Sequence, residues 1–149
     1  MKQRMTAIAW AVVMFLVLTA CGFMAAEALV LPSPEDLKEV TVTASELELT
    51  AHSGDWIAQL LEALEQGVRE KTGRASVADT PAGKGAGLIR LDFGFKNGGT
   101  STLFLYREDG RLFLEQPYQG IYEMDASLEY VLRSQIALAM ARQQTTKQE

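Results

Sequence analysis

The chain has 149 residues, 48% of them hydrophobic and 22% charged, with a formal charge of −5. That length suits one domain and excludes two of ordinary size. One Cys excludes an internal disulfide or a Cys-based zinc cluster, and one His excludes a histidine-rich metal site. The acidic balance argues against nucleic acid, whose phosphates need clustered Lys and Arg.

The apolar residues are unevenly spread. Met1-Lys2-Gln3-Arg4 is a short basic start, Ala7 to Leu18 is an unbroken apolar run, and Leu18-Thr19-Ala20-Cys21-Gly22 follows. This stretch resembles a bacterial lipoprotein signal, in which the Cys becomes the acylated first residue of the mature chain. The resemblance implies lipidation at Cys21 and anchoring in the lipid bilayer, where two or more acyl chains hold stably. The uncharged run continues through Phe23-Met24-Ala25-Ala26, so an uncleaved single-pass anchor is the alternative. Residues 7–26 would span about 30 Å as a helix, enough to cross the hydrocarbon core. Lys2 and Arg4 keep the start of the chain cytoplasmic in either case and put the domain on the extracytoplasmic face of the cell membrane. Cleavage before Cys21 removes both basic residues and no acid, taking the formal charge from −5 to −7. The expected organisation is therefore a signal peptide at 1–20, a tether at 21–34, a domain at 35–143 and a polar tail at 144–149.

Within the domain, Lys38-Glu39-Val40-Thr41-Val42-Thr43 alternates and reads as a strand with Val40 and Val42 inward. Glu46 to Thr50 reads the same way, with Leu47 and Leu49 inward. A helix is predicted from Gly54 to Thr72, with Ser53 as N-cap, Asp55 in the first turn and Gly73 as the stop. Its apolar stripe is Trp56, Ile57, Leu60, Leu61, Leu64 and Val68.

A long loop from Arg74 to Gly87 precedes three strands, Leu88–Lys96, Thr100–Arg107 and Arg111–Gln116. Asp109-Gly110 is a two-residue hairpin turn needing positive φ at both positions, which sets Leu105 opposite Leu114 and Arg107 opposite Leu112. A three-residue loop at Asn97-Gly98-Gly99 is predicted to pair Phe93 with Leu103 and Leu91 with Leu105. Ile89, Leu91, Phe93, Phe95, Leu103, Leu105, Leu112 and Leu114 then face inward. A second helix begins near Asp125 and presents Leu128, Val131, Leu132, Ile136 and Ala139. The order ββαβββα predicts an α+β, two-layer domain: an antiparallel sheet of about five strands with two helices.

The opposite sheet face would hold Arg90, Asp92, Thr102, Phe104, Tyr106, Phe113 and Glu115. Phe104, Tyr106 and Phe113 are more aromatic surface than a solvent face needs. Either the N-terminal segment or the 74–87 loop covers them, or they form a flat recognition surface. Beyond the last strand, Gln116-Pro117-Tyr118-Gln119-Gly120-Ile121-Tyr122 ends the pairing at Pro117 and turns at Gln119-Gly120. Tyr118 and Tyr122 either pack under the sheet rim or form an aromatic cradle, with Gln116 and Gln119 hydrogen-bonding a sugar or peptide.

Chemistry-bearing patterns are sparse. His52-Ser53-x-Asp55 has hydrolase residue types, but triad members meet in space rather than in sequence, and Ser53 serves as a cap. Gly83-Lys84-Gly85-Ala86-Gly87 precedes a strand where a phosphate loop would precede a helix. Asp92, Glu108, Asp109, Glu115 and Glu123 are scattered carboxyl groups, and a glycosidase would need two converging in a cleft.

Leu31-Pro32-Ser33-Pro34, Ser76-Val77-Ala78-Asp79-Thr80-Pro81, Gly98-Gly99-Thr100-Ser101-Thr102 and above all Glu115-Gln116-Pro117-Tyr118-Gln119-Gly120-Ile121-Tyr122 resemble a family of small extracytoplasmic domains of unknown function in Gram-positive bacteria. Its members look like short lipoproteins, and similar segments occur on membrane-bound antirepressor-type sensor proteins. The resemblance carries no activity and no catalytic residue. The expectation is a non-enzymatic, membrane-tethered binding or interaction domain with no cofactor, whose partner is an unknown protein or cell-wall ligand. The alternatives are a sensor or regulatory ectodomain paired with a membrane protein, or a cell-wall hydrolase.

Overall fold

A computed structural model describes residues 28–45 and 47–146, without the side chains of Ala86 and of residues 138–146. The expected signal segment, the lipidation site Cys21 and the last residues of the polar tail lie outside the described residues, as does the side chain of Ala139.

Seven strands make one sheet: β1 (Leu37–Ala44), β2 (Leu47–Ala51), β3 (Val68–Lys71), β4 (Ile89–Phe95), β5 (Thr100–Glu108), β6 (Arg111–Gln116) and β7 (Gly120–Met124). Their spatial order is β2-β1-β4-β5-β6-β7-β3, and every neighbouring pair is antiparallel. Helices α1 (Gly54–Gln66) and α2 (Ser127–Thr146) cover one face. The fold is the expected two-layer α+β class, with two more strands than the alternation revealed.

Alternation explains the inner face. Val40, Val42, Leu91, Phe93, Leu103, Leu105, Leu112 and Leu114 are all buried against the helices, with Phe95 partly so. Leu49 is buried as expected, but Leu47 begins an edge strand and keeps 36% of its surface exposed. The Asp109-Gly110 turn has φ of 50° and 78° and gives the expected pairs Leu105↔Leu114 and Arg107↔Leu112. Around Gly98 and Gly99 the register differs: Leu91 faces Leu103 and Phe93 faces Ser101. The amide of Phe95 donates to Gly99 O, so pairing reaches closer to the glycines than expected. The slip is two residues, and because side chains alternate with period two, no residue changes face.

Helix α1 buries Trp56, Ile57, Leu60, Leu61 and Leu64, the expected stripe. It starts where expected, although Ser53 caps through its backbone alone: its carbonyl accepts from Ile57 N at 3.0 Å. The helix stops at Gln66 rather than Thr72. Gly67 marks the stop in a tight place: an added Cβ there would lie 3.0 Å from Ala63 O and 3.1 Å from Leu128 Cδ2. At this glycine α2 comes close to α1, and Gly67 O accepts from Asp125 N at 2.7 Å. Val68 to Lys71 then pair with β7 as the far edge of the sheet. The apolar Val68 continued the helical spacing and concealed the change of period.

Helix α2 begins after Asp125, whose Oδ1 accepts from Ser127 N at 2.8 Å and Ser127 Oγ at 2.6 Å. Leu128, Leu132 and Ile136 are buried, and Val131 is 36% exposed. Trp56 Nε1 donates to Gln135 O at 3.3 Å, joining the two helices. Part of the expected tether also belongs to the folded body: Leu29 and Leu31 pack on the core, and Pro34 to Asp36 form one 3-10 turn before β1.

Candidate functional site

Because β3 is an edge strand and β4 lies inside the sheet, the chain between them must cross back over the face that the helices leave open. Residues 72–88 do so, and Phe104, Tyr106 and Phe113 are each about 98–99% buried. Of the two expectations for these rings, the covering loop is what is seen, and the flat recognition surface is not. Arg74 lies 5.3 Å over the Phe113 ring and Lys84 lies 4.5 Å over Tyr106. Both cations also pair with Glu108, and their hydrogen bonds, Lys84's first, hold its carboxyl below the ordinary value. Beneath the loop, Glu115 accepts from Ser76 Oγ at 2.8 Å and from Tyr106 Oη at 3.0 Å. Burial, seconded by the Glu115 contact, pushes the Tyr106 hydroxyl far above its usual range.

The loop leaves one end of this face open as a cleft of about 370 Å³. Asp79 and Thr80 line it from the loop, Arg90 from β4, and Ser101, Thr102 and Phe104 from β5. Gln116, Pro117 and Gln119 complete it from the end of β6 and the turn beyond. That volume lies near the lower end of the range for small-ligand sites. Arg90 Nε bonds Asp92 at 2.7 Å, and Thr102 Oγ1 donates to the same carboxyl at 2.6 Å.

The β6–β7 turn shapes the mouth. Gln116 pairs with Gly120, and Gln119 N donates to Gln116 O at 3.0 Å, so Pro117, Tyr118 and Gln119 form a tight connection. Tyr118 sits at φ 62°, an outlier for a bulky side chain. Its ring is 67% exposed, yet its hydroxyl donates to Asp79 Oδ1 at 2.9 Å. That bond raises the Tyr118 pKa above its ordinary value. Gln116 Nε2 donates to Val30 O at 2.9 Å. Its Oε1 is buried with no partner, the one such side-chain atom among the described residues.

The structure therefore brings Phe104, Gln116 and Gln119 to one cleft, with Tyr118 outside its lining but bonded to Asp79 of it, and separates them from the other expected residues. Tyr122 belongs to the opposite face. It is 98% buried in the helix-side core, with Lys71 Nζ 5.8 Å from its ring centroid. An aromatic cradle of Tyr118 and Tyr122 does not form, because Ile121 and Tyr122 continue as a strand where the sequence reading placed an irregular connection. Alternation put Arg90 and Thr102 on the same face as Phe104, but sequence reasoning missed Asp79, Thr80 and Ser101 as lining residues. Their convergence depends on where the loop crosses, which no local pattern encodes.

The remaining chemical patterns dissolve in the same way. His52 is exposed beside Glu39, 3.5 Å from its carboxyl, while Ser53 caps α1. Lys84 of the glycine-rich stretch is committed to Glu108 ahead of β4. Glu123 pairs with Arg111 at 3.1 Å, and Asp109 sits in its turn. Among the described residues, no three His, Cys, Asp or Glu side chains gather to hold a metal ion, and no helix is long and apolar enough to cross a membrane.

These features define a two-layer α+β domain with one strapped sheet face and a polar cleft at the end of that strap. The chain belongs to the DUF5301 family, described as "Domain of unknown function (DUF5300)", which matches residues 25–123. The match stops inside β7, so α2 lies beyond it. No curated protein and no solved structure matches the chain.

Proposed function

We propose that this is a non-enzymatic binding domain, tethered to the extracytoplasmic face of a Gram-positive cell membrane through acylated Cys21 or through an uncleaved leader. The observation that carries the binding reading is the cleft lined by Phe104, Gln116 and Gln119, whose lining Asp79 accepts from the hydroxyl of the exposed Tyr118. A tyrosine held at positive φ with its ring exposed is a cost to folding, and such costs collect at ligand sites. Non-enzymatic action is supported by the dispersal of His52, Ser53 and the carboxyl groups into separate structural pairs. The tether reading rests on the basic start, the apolar run and Leu18-Thr19-Ala20-Cys21.

Two measurements test this reading. Mass spectrometry of the membrane-extracted protein should find diacylglycerol on Cys21 in the wild type and none in Cys21→Ser. Full-length protein carrying Gln119→Ala should lose partners captured by the wild type from cell envelopes. Equal capture by both would remove the cleft as the binding site.

A further inference from the structure

We infer that the cleft takes a neutral carbohydrate, a run of one or two sugar units, with Tyr118 as the surface against which a sugar ring lies. This deepens the binding reading proposed above and rests on it. Three independent features select that ligand class.

The first is charge. Arg90 is the cleft's one lining cation, and its Nε is already spent on Asp92. The loop contributes the opposing carboxyl of Asp79. A phosphate or sulfate needs several uncommitted donors of positive charge and would meet Asp79 as a repulsion. The balance favours a ligand without net charge.

The second is hydrogen-bonding character. Thr80, Thr102 and Gln119 supply hydroxyl and amide groups, which both donate and accept. Sugar hydroxyls have the same dual capacity, so each contact can be matched from either side. The Thr102 hydroxyl gives its hydrogen to Asp92 and so faces any ligand as an acceptor.

The third is the mouth. Tyr118 has its ring two-thirds exposed and its hydroxyl fixed on Asp79, so the ring is held without being covered. Pro117 and Gln119, its two neighbours, both line the cleft. A ring fixed in this way offers apolar area at little further entropic cost, which suits the C–H face of a pyranose. Tyr118 lies in the connection between β6 and β7, outside their paired residues.

The test uses isotope-labelled full-length protein in a detergent without sugar groups, titrated separately with chitotetraose, cellotetraose, dialanine and inorganic phosphate. One or both tetrasaccharides should shift the backbone amide signals of Ser101, Thr102 and Gln119 in a saturable way. Tyr118→Ala and Gln119→Ala should each weaken that binding about tenfold, close to 1.4 kcal/mol. Tyr118→Phe keeps the ring, loses the tie to Asp79, and should weaken it by about threefold. Gln119 is an exposed turn residue, so its variant remains informative if the tyrosine changes disturb folding. Shifts produced by dialanine or phosphate alone would overturn the carbohydrate assignment and leave a binding cleft of another kind. Silence from all four probes would overturn the carbohydrate assignment, while the binding reading would fall only if wild type and Gln119→Ala also captured the same envelope partners equally.

Discussion

Ser76 Oγ donates to the carboxyl of Glu115 at 2.8 Å across 39 residues of sequence, and both side chains are at least nine-tenths buried. This bond fastens the 72–88 strap over the aromatic face. Replacing the serine leaves the carboxyl only the hydroxyl of Tyr106. Ser76→Ala should therefore cost about 1–3 kcal/mol, the price of under-satisfying a buried polar group. Urea unfolding should show the loss, and hydrogen exchange should show it concentrated in residues 74–87. Uniform protection across the strap would contradict the latch.

The sequence was legible where one local rule acted alone. Period-two alternation assigned every inner-face residue from Ile89 to Leu114, and a two-residue slip in register left those assignments intact. It failed where two elements meet. α1 stops at Gly67, where Leu128 of α2 leaves little room for a side chain, and α2 lies about 60 residues further on. Tyr122 was placed with Tyr118 because they are four apart, but a hairpin separates one from the other. The covered fate of Phe104, Tyr106 and Phe113 was open from alternation and was decided by the crossing of the strap. The cleft was half legible: its glutamines stood in one segment, whereas Asp79, Ser101 and Thr102 arrive from elsewhere.

Tyr118 gives a prediction that separates folding from binding. Its φ of 62° lies in the left-handed region, which costs an ordinary residue about 1–2 kcal/mol and costs Asn less. Loss of the exposed bond to Asp79 removes about 0.5–1.5 kcal/mol. Tyr118→Asn should thus unfold at a denaturant concentration equal to or above that of the wild type while losing ligand capture. A marked fall in stability would mean that the tyrosine is there for the fold.

Acid should loosen the domain at named places. Glu108 is held below its ordinary value by Lys84 and then Arg74, Glu129 by Arg133 and Arg107, and Asp125 by Ser127. A carboxyl group with a depressed folded pKa contributes stability above its unfolded value, which is lost as pH falls through the folded one. The unfolded values are near 4.5, 4.5 and 3.8. The urea midpoint should therefore hold steady from neutrality down to about pH 5 and decline below it. Glu108→Gln should lower the plateau and flatten the decline. Because the Arg74 and Arg133 side chains are 44% and 66% exposed, added salt should shrink both effects. A midpoint rising toward acid would contradict these assignments.

The contact between Gly67 and Leu128 can be isolated by a double-mutant cycle. Gly67 has φ −76°, which any residue adopts, so no backbone strain opposes a substitution there, and the gain of about 0.4–1 kcal/mol from a less flexible unfolded chain cancels in the cycle. A Cβ at 67 would press on Leu128 Cδ2 at 3.1 Å and on Ala63 O at 3.0 Å. Overpacking of this kind costs about 1–3 kcal/mol. Leu128→Ala alone should cost about 2–5 kcal/mol, because Leu128 is 97% buried between the helices and the sheet. In the Leu128→Ala background the contact with Cδ2 is gone, and the added methyl meets the Ala63 carbonyl at 3.0 Å and, at an ordinary 3.4 Å, the Cβ that alanine keeps at position 128. Gly67→Ala should therefore cost less there than in the wild type, giving a coupling of about 0.5–1.5 kcal/mol by urea unfolding. Strict additivity would mean that Leu128 Cδ2 does not restrict the size of the residue at 67.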